Sequence, residues 1–492
     1  MLGMADGNGI LGRPLTGADW FVSKREVRYA SNGLVYERPD LSCSGRVRHR
    51  SCLVIFAVLA GWTALLLPGV FIAGAQAISI IGFTLLIVMR MALVVRGGVL
   101  RLTATEHACD RSASAMSSQI LPVYSVLIPL YKEAGSVRQL VEGVKALDYP
   151  LDRLEVFFLV EQEDAATRET LEALSMPAHW PILILPDGQP RTKPRALNVV
   201  LARLKGRFVT IYDAEDRPHP GQLKAAVKAL QSGGADLACV QAPLRAYNDR
   251  VSWISGQWAL EYDMHFGLVL PALAKARRPI ALGGTSNHFK VDILRSVGGW
   301  DAWNVTEDAD LGLRFARLGY RISTIDLPTL EEAPEKISIW MPQRSRWIKG
   351  YMQSASVLWR APGRVVADMG LASFAASQVL LGGAIISACL HGPFALLCLL
   401  YMVTPEWTLP ASYIALMLAG YSVQMLAALL APGRKDMRRL GLVLTAPLYW
   451  PLQSFAAMRA LYELATVPHM WSKTPHALTA LDVSSQSFEV RA

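Results

Sequence analysis

The sequence predicts a mostly parallel α/β domain that is flanked by two sets of α-helical transmembrane segments. Charge-free apolar stretches lie near each end of the chain, and short β-rich runs alternate with helix-period segments between them. Such alternation is typical of βαβ units. The chain has 492 residues, of which 52% are hydrophobic and 18% are charged. It is therefore long enough for two or three domains and more apolar than an ordinary soluble protein.

The sequence divides into five parts by charge and hydropathy. The first part is polar and basic, and we expect it to be only partly ordered. The five parts are a basic cytosolic N-terminal segment (1–50), two transmembrane helices (51–97), a cytosolic α/β domain (98–365) with interfacial helices near 335–365, C-terminal transmembrane or interfacial helices (366–468) and a tail (469–492).

The first apolar stretch predicts two membrane helices. Residues 53–89 contain no Asp, Glu, Lys or Arg, which is a longer run than one bilayer crossing requires. Because Pro68-Gly69 lies in its middle, we expect helices near 53–72 and 76–95. The preceding cations favour a cytoplasmic N-terminus, and thus a cytoplasmic α/β domain in a multi-pass protein of the inner membrane. These cations are Arg13, Lys24, Arg25, Arg28, Arg38, Arg46, Arg48 and Arg50.

The second apolar region predicts further crossings. Residues 371–403 carry no charge, and Gly392-Pro393 favours one long, bent helix. The loop at 404–410 is expected to be external, and 411–431 return to the cytoplasmic side. The last stretch, 440–466, contains two prolines, and it is expected either to cross the membrane or to lie along its inner face.

The overall charge and the cysteines make a nucleic-acid-binding protein, a zinc protein and a disulfide-rich protein unexpected. A net charge of +9 agrees with this topology and with anionic lipid as a partner, rather than with nucleic acid. The six cysteines are scattered without a C-x-x-C spacing, so neither structural zinc nor a disulfide framework is expected. They are Cys43, Cys52, Cys109, Cys239, Cys389 and Cys398.

Five apolar runs predict the strands of the sheet. Ser136 to Gln139 has the pattern of a capping box for the first helix, and Asp164 is placed to cap the second. Ligands bind beyond the carboxyl ends of strands in such sheets, so the polar residues after each run are candidates for a site. The runs are Val123–Pro129, Leu154–Val160, Pro181–Leu185, Arg207–Tyr212 and Asp236–Gln241.

Polar residues after the first two strands suit a nucleotide. Tyr131 can stack on a base, and the carboxylate of Glu133 can accept from a ring N–H or a ribose hydroxyl, although a solvated loop is the simpler interpretation. Glu161 and Asp164 give the second strand an acidic end. A helix N-terminus also favours acids, so this second cluster has a structural explanation as well.

The next two segments suit a diphosphate and a divalent cation. Lys193 and Arg195 lie at a helix start, where cations and backbone N–H groups can hold a diphosphate; a solvated basic helix is the alternative. Asp213, Glu215 and Asp216 follow an apolar strand. Three acids within four residues repel one another unless a cation relieves them, which favours Mg²⁺ or Mn²⁺.

Acids also begin the helix near residue 306. Thr306 can cap this helix, and Glu307 and Asp308 suit the dipole of its first turn. A carboxylate at this position, facing the cation, is also what a general base requires, because it must accept a proton from an attacking hydroxyl.

An amphipathic stretch near 340–350 combines a cation with aromatic rings. Arg346 can hold a pyrophosphate with two hydrogen bonds, and the face of Trp347 suits the C–H side of a sugar ring. Gln343 lies on the same stretch. A Trp/Arg helix lying on lipid is the alternative interpretation.

Taken together and in this order, these stretches resemble the family 2 glycosyltransferases, the membrane-embedded inverting enzymes that include cellulose and hyaluronan synthases. The resemblance covers residues 121–350 through Tyr-x-Glu, the acidic second strand, Asp-x-acid, Thr-Glu-Asp and Gln-x-x-Arg-Trp. It is strongest with a bacterial synthase-like branch, whose acceptor-side loop is similar to residues 283–289. The sequence departs from the family pattern at two places. Glu215 stands where the second Asp is commoner, which leaves Asp216 as an alternative ligand for the metal. The second strand ends in Glu-Gln-Glu-Asp instead of an Asp pair.

The resemblance implies a GT-A fold (Rossmann-like, with a mostly parallel sheet), a nucleotide-diphosphate-sugar donor that is expected to be UDP-linked, and Mg²⁺ or Mn²⁺. Asp164, Lys193, Arg195 and Glu307 are further candidates for substrate binding. By position, the resemblance implies that Tyr131, Glu133 and Glu161 contact uridine, Asp213 and Glu215 hold the metal and the diphosphate, Asp308 is the base, Gln343 and Arg346 steady the diphosphate, and Trp347 forms the floor of the acceptor site.

The expected function is thus transfer of a sugar to a polysaccharide or a lipid-linked acceptor, with a polysaccharide synthase favoured over a non-processive glycolipid glycosyltransferase. A membrane transporter and a catalytically silent nucleotide-sugar sensor are the alternatives from other classes. Membrane lipid and accessory export or regulatory subunits are further expected partners, and nucleic acid is not.

Overall fold

In the computed structural model, the described residues are 22, 24–44, 62–63, 65–108, 121–404 and 411–470. They form an α/β domain and a group of long helices. The strands of the domain are β1 (Tyr124–Leu130), β2 (Leu154–Glu161), β3 (Ile182–Leu185), β4 (Phe208–Ile211), β5 (Arg217–Pro218), β6 (Leu237–Gln241), β7 (Leu244–Ala246), β8 (Asn287–Lys290), β9 (Arg321–Thr324) and β10 (Thr329–Glu331).

The main sheet is mostly parallel, which confirms the predicted fold class. Its strand order is β3-β2-β1-β4-β8-β6-β9. The pairs β1–β2, β1–β4, β2–β3 and β6–β9 are parallel, whereas β8 runs antiparallel to both of its neighbours. The five predicted runs correspond to β1, β2, β3, β4 and β6. A second, small sheet has the order β5-β10-β7.

The helices up to residue 317 are α1 (Lys24–Glu37), α2 (Pro68–Ala108), α3 (Val137–Lys145), α4 (Ala165–Glu172), α5 (Lys193–Leu201), α6 (Gln222–Ser232), α7 (Trp253–Met264), a π-helical segment (His265–Val269), α8 (Leu270–Lys275), α9 (Val291–Ser296) and α10 (Glu307–Arg317). The later ones are α11 (Ile337–Leu358), α12 (Pro362–Met369), α13 (Leu371–Ser377), a second π-helical segment (Gln378–Gly382), α14 (Gly383–Val403), α15 (Ala411–Leu430) and α16 (Met437–Thr466).

Both faces of the main sheet are covered, because successive side chains of a strand point to opposite faces. On β1, Val126 and Ile128 face a core that includes residues of α3 and α6. Leu127, between them, faces a second core with Leu197 and Val200 of α5. The sheet is therefore buried on two sides, as a parallel sheet requires, and its carboxyl edge is where polar side chains can gather.

The predicted caps of α3 and α4 have different outcomes. Asp164 caps α4, since its carboxylate accepts from the backbone N–H of Thr167 at 3.3 Å, and this prediction is confirmed. The capping box at Ser136 is wrong, because the Ser136 hydroxyl makes no cap bond and donates to the carboxylate of Glu133 at 3.2 Å.

Three helices in the described ranges are long and apolar enough to cross a membrane, judged by length and composition. They are Gln76–Thr103, Leu371–Val403 and Ala411–Leu430. Half of the predicted helix at 53–72 lies outside the described residues. The one predicted at 76–95 is longer than expected, because α2 begins at Pro68, where proline suits the first turn, and continues to Ala108.

The two C-terminal apolar stretches are continuous helices. Gly392-Pro393 lies inside α14, where the Gly392 N–H donates to the Ser454 hydroxyl of α16 at 2.7 Å. The prediction of one long helical run across these residues is thus confirmed, with a π-helical segment nearer its start. The prolines of α16, Pro447 and Pro451, also lie within one 30-residue helix. It packs against α14, α11 and α7, and so joins the membrane helices to the α/β domain.

The contact between Gly350 of α11 and Thr306, the residue before α10, gives a prediction for stability. A Cβ added at Gly350 of α11 would lie 2.1 Å from the hydroxyl oxygen of Thr306. We expect Gly350→Ala to push the two segments apart and to cost about 1–3 kcal/mol, measured as a lower thermal midpoint in detergent. The control is Gly143→Ala in α3, where a Cβ meets no atom within 4 Å and helix propensity rises. Equal midpoints for Gly350→Ala and the unchanged protein would contradict the contact.

Candidate active site

A single cavity of about 380 Å³ lies at the carboxyl ends of β1, β2 and β4. It collects eleven of the thirteen predicted site residues, which come from segments as far apart as residues 131 and 347. The eleven are Tyr131, Glu133, Glu161, Lys193, Asp213, Glu215, Glu307, Asp308, Gln343, Arg346 and Trp347.

The other two predicted residues do not line the cavity. Arg195 is almost completely buried and donates to both carboxylate oxygens of Glu161, at 2.6 and 2.5 Å. The structure thus corrects the prediction that Arg195 holds a diphosphate: it is the counter-ion of Glu161. The buried carboxylate of Asp164 is occupied by the cap of α4 and by the backbone N–H of Lys132, so the structure gives it a supporting role.

The acids after β4 divide into two groups. Asp213 and Glu215 face the cavity, whereas Asp216 is buried beneath the turn. One Asp216 oxygen accepts from the backbone N–H of Asp213 at 2.6 Å and from the Thr285 hydroxyl. Burial and the charges of Asp213 and Glu215 raise the pKa of Asp216 well above its usual range. Asp216 therefore stabilises the turn, whereas Asp213 and Glu215 are the two acids of this turn that face the cavity.

Lys193 is the cation closest to these acids. As the first residue of α5 it reaches across the cavity, forms an ion pair with Asp213 and donates to the carbonyl of Gly284 at 2.8 Å. Burial alone would lower the pKa of Lys193, but the charges of Asp213 and Glu307 raise it above its ordinary value. The ammonium group is therefore a fixed positive charge between two acidic segments.

The first turn of α10 places two carboxylates in the cavity wall. Burial and the charge of Asp308 raise the pKa of Glu307 to about 7, and burial raises that of Asp308. The predicted cap does not form, since Thr306 makes no side-chain cap bond and its hydroxyl instead lies 3.4 Å from the Asn304 amide oxygen. A carboxylate with a raised pKa at the edge of a cavity is suited to accept a proton near neutral pH.

Helix α11 holds this acidic turn in place from the other side. The Arg346 guanidinium donates to the carbonyl of Val305 at 3.2 Å, and the side-chain oxygen of Gln353 accepts from the Val305 N–H at 3.1 Å. Trp340 and Lys349 on the same helix are fully buried. Protein therefore covers much of α11, which disagrees with the alternative of a helix lying on lipid.

Trp347 is fixed by aromatic neighbours. Its ring lies 4.7 Å from that of Trp258 and 6.3 Å from that of Tyr262, measured between centroids. The Arg344 guanidinium lies over Trp258, Trp340 and Trp347 at 4.9, 5.4 and 5.0 Å and forms an ion pair with Glu261. Each such cation–π contact stabilises the arrangement, so the plane of Trp347 is set before any ligand binds.

Two acids of the cavity were missed by the sequence analysis. Glu331 and Glu332 line it, because β10 pairs with β5, which directly follows the acidic turn. Burial and the charges of Glu215 and Asp213 raise the pKa of Glu331 to about 8. In the sequence, these two acids lie at the end of a short run that becomes a strand, which is the same pattern that identified Asp213 as a candidate.

Comparison with known proteins gives matches to the α/β domain. Residues 122–350 match a family model described as glycosyltransferase like family 2, which agrees with the resemblance carried by the motifs. A probable glycosyltransferase, YdaM of Bacillus subtilis, is 27% identical over 233 residues, which are 47% of this chain and 55% of that protein.

Two further relatives are synthases whose names give different products. Cellulose synthase 2 of Novacetimonas hansenii is 29% identical over 47% of this chain and 14% of its own length. A beta-monoglucosyldiacylglycerol synthase of Synechocystis is 26% identical over 49% of this chain and 50% of its own. The chain thus spans about half the length of these curated relatives, or less.

Among solved structures, a mannosyltransferase of Pyrobaculum calidifontis in complex with GDP-Man and Mn²⁺ aligns with a TM-score of 0.44. The alignment has 19% identity and covers 78% of this chain and 99% of that one.

The buried Glu331 carboxyl gives a prediction for stability against pH. Because its pKa is about 8 in the fold and near 4.3 in an unfolded chain, the folded protein keeps a proton that the unfolded chain releases between these values. Stability should therefore fall as pH rises from about 4.5 to 8, by at most about 1.4 kcal/mol per pH unit. Glu331→Gln should flatten this slope in metal-free protein and raise the thermal midpoint at pH 8.

The control for this prediction is Glu172→Gln, which changes an exposed acid at the end of α4 and should leave the slope unchanged. Thermal midpoints measured between pH 5 and 8.5 in the presence of EDTA check both variants. An identical slope for Glu331→Gln and the unchanged protein would show that this carboxyl is already ionised in the fold.

Proposed function

We propose that the chain, whose residues 122–350 match the glycosyltransferase like family 2 model, is an inverting glycosyltransferase at the inner membrane. It moves a sugar from a nucleotide-diphosphate sugar, with UDP as the nucleotide, to a polysaccharide or lipid-linked acceptor. The observation that carries the proposal is the meeting of acids from three distant segments, at Asp213, Asp308 and Glu331, with the cation of Lys193 in one cavity.

The two ends of the cavity differ in a way that suits a donor and an acceptor. Tyr131 and Glu133 lie at the end near β1, where a ring and a carboxylate suit a nucleoside. Tyr262, Trp347 and Tyr351 line the other end, where aromatic faces suit the C–H side of a sugar. The acids lie between them. A sugar held at this junction would have its anomeric carbon beside Asp308.

The residues also fit a divalent cation. Asp213 and Glu215 present carboxylate oxygens, the ligand type that Mg²⁺ and Mn²⁺ prefer. Over the described residues, no group of three or more acids, His or Cys is arranged to hold a metal ion by itself. Mg²⁺ typically takes one or two carboxylates and completes its shell with substrate phosphates and water, so this pair is sufficient. When bound, the cation would neutralise charge on the departing diphosphate.

Asp308 is proposed as the base. Its carboxylate takes the proton of an acceptor hydroxyl while that oxygen attacks the anomeric carbon from the side opposite the diphosphate, which inverts the configuration. Burial raises the pKa of Asp308, while the charges of Lys193 and Arg346 act in the other direction. The carboxyl thus remains ionised enough to act and basic enough to accept the proton.

Arg346 and Gln343 are proposed to steady the diphosphate from α11. A guanidinium can donate two parallel hydrogen bonds to phosphate oxygens, and the Gln343 side chain faces the same cavity. Because these donors are fixed by the packing of α11, little reorganisation is needed when negative charge develops on the leaving group.

The long apolar helices support a location in the membrane, with the domain on the cytoplasmic side as the cation distribution indicates. A polysaccharide synthase is favoured by the Gln-x-x-Arg-Trp element. The similarity to a glycolipid synthase supports a non-processive enzyme as the second candidate. The length of the product on a gel separates the two.

Asp308→Asn should abolish transfer and leave nucleotide binding nearly unchanged, because the amide keeps the shape of the side chain but cannot accept the proton. Transfer is measured as acceptor-dependent release of UDP, and binding as the shift of the thermal midpoint on adding UDP with Mn²⁺. Glu172→Gln, an exposed acid far from the cavity, is the control. Full turnover by Asp308→Asn would exclude this residue as the base.

UDP should stabilise the protein only together with Mn²⁺ or Mg²⁺. A ligand at 100 times its Kd adds about 2.7 kcal/mol to the free energy of unfolding, and Glu215→Gln should remove most of that gain by weakening the cation site. Asp152→Asn, which changes an exposed acid, should retain it. Equal stabilisation by UDP in the presence of EDTA would contradict a role for the cation in donor binding.

A further inference from the structure

The candidate membrane span Gln76–Thr103 contains three charged residues, Arg90, Arg96 and Arg101. Arg90 is near the middle of Gln76–Thr103, and a charge in such a position is costly and usually has a function. Arg90, Val94 and Gly97 share one face of α2, because they are spaced i, i+4 and i+7. Val94 is buried, and a Cβ at Gly97 would lie 2.4 Å from the carbonyl oxygen of Leu268. The face of α2 that carries Arg90 therefore packs against protein at Val94 and Gly97, while the Arg90 side chain itself remains exposed.

The contacts of Arg90 connect the membrane helices with the active-site cavity. Its guanidinium donates to the side-chain oxygen of Gln424 in α15 at 2.8 Å, and Val423 and Ala427 beside this residue are buried. Leu268, against which the same face of α2 packs, belongs to the π-helical segment that also carries His265 into the cavity wall. Arg90 thus lies between the bilayer-facing helices and the cavity.

The charges around this position leave a positive excess. Glu261, one turn before His265, is already paired with Arg344 and accepts from the Tyr449 hydroxyl at 3.2 Å. Burial, with a smaller contribution from the charge of Arg90, lowers the pKa of His265 to about 4, so this ring is neutral at pH 7. Two guanidinium groups therefore face one carboxylate.

An unbalanced cation in an apolar region favours an anionic partner, because removing a charge from water is costly unless it is paired. The Arg90 side chain remains exposed, so a ligand can reach it. A guanidinium matches the geometry of phosphate oxygens and can donate two hydrogen bonds to them. Gln424 adds an amide next to it. At this depth, a phosphate reaches the side chain most readily when it is attached to a lipid.

We propose that Arg90 and Gln424 form a binding subsite for the phosphate group of a lipid, on the membrane side of the active-site cavity. The inference rests on the proposed function for one step only, namely that the lipid bound there is the acceptor. In that case, the acceptor is a sugar attached to the lipid phosphate: Arg90 holds the phosphate, and a hydroxyl of that sugar reaches Asp308 past His265 and Trp347. The headgroup of an ordinary phospholipid has the same chemistry, so the experiment includes both sources.

The test uses the full chain in phosphatidylcholine nanodiscs and measures lipid retention by native mass spectrometry. The probes are a polyprenyl phosphate, the matching polyprenol without phosphate, phosphatidylglycerol and inorganic phosphate. We expect the polyprenyl phosphate to be retained about tenfold better than the polyprenol, and Arg90→Gln to remove this preference. Gln424→Leu should weaken it, and Arg90→Lys should keep part of it.

The matched control is Arg96→Gln, which removes the same charge from another, exposed face of α2. It should retain the preference. Nucleotide binding by Arg90→Gln, measured as a UDP-dependent thermal shift, reports that the variant is folded. Equal retention of polyprenol and polyprenyl phosphate, an equal loss in Arg96→Gln, or Arg90-dependent binding of inorganic phosphate alone would each overturn the proposal.

The two sources of phosphate give different results. Arg90-dependent retention of phosphatidylglycerol at the same level as polyprenyl phosphate supports the site and assigns it to a phospholipid headgroup. A selective gain for polyprenyl phosphate assigns it to the acceptor. Lipid retention needs no turnover, so it can succeed when the transfer assay fails. Failure of the subsite with intact sugar transfer refutes this inference without affecting the proposed function.

Discussion

Repulsion between carboxylates is the constraint on which the site depends. Acids from the end of β4, the start of α10 and the end of β10 face one cavity, and their mutual charge raises the pKa of Glu307 and Glu331 in addition to the effect of burial. Lys193 relieves part of this charge through its ion pair with Asp213. The carboxylates that face the cavity therefore repel one another, and binding of a cation between them is favoured.

Helix α11 connects the acidic turn at the start of α10 to helix α16. It touches the acidic turn through Arg346 and Gln353. On its other side, Trp340 donates to the Tyr449 hydroxyl of α16 at 2.7 Å, and the buried Lys349 pairs with Glu463 of the same helix at 3.0 Å. Breaking a buried pair of this kind is costly. The position of the proposed base is thus tied to the packing of α16 against the domain.

The membrane side of the cavity is polar as well as aromatic. Arg90 of α2 and Gln424 of α15 lie next to the π-helical segment that carries His265. Such π-helical insertions are frequent at functional sites, and here the insertion places an imidazole in the cavity wall while its other side packs on a membrane helix. The wall of the candidate site and a candidate membrane helix therefore meet at one π-helical segment.

Several features followed from the sequence because they depend on local patterns. The apolar runs of β1, β2 and β4 predicted strands in a buried parallel sheet, and the acids after them predicted a shared edge, since parallel strands end together. The charge-free apolar stretches likewise predicted helices at 371–403 and 411–431, which correspond to two of the three candidate spans among the described residues.

Other features required the tertiary structure, because they depend on which side chain lies next to which. Arg195 was predicted to hold a diphosphate, but folding brings it onto Glu161. Asp216 and Glu215 are indistinguishable as sequence, and only the turn decides which of them is buried. Glu331 joins the site because β10 pairs with β5, a contact between residues more than 100 positions apart. The sequence alone thus determined the fold class and the types of group in the site, whereas the tertiary structure decided their partners, since charge pairing depends on distance in space.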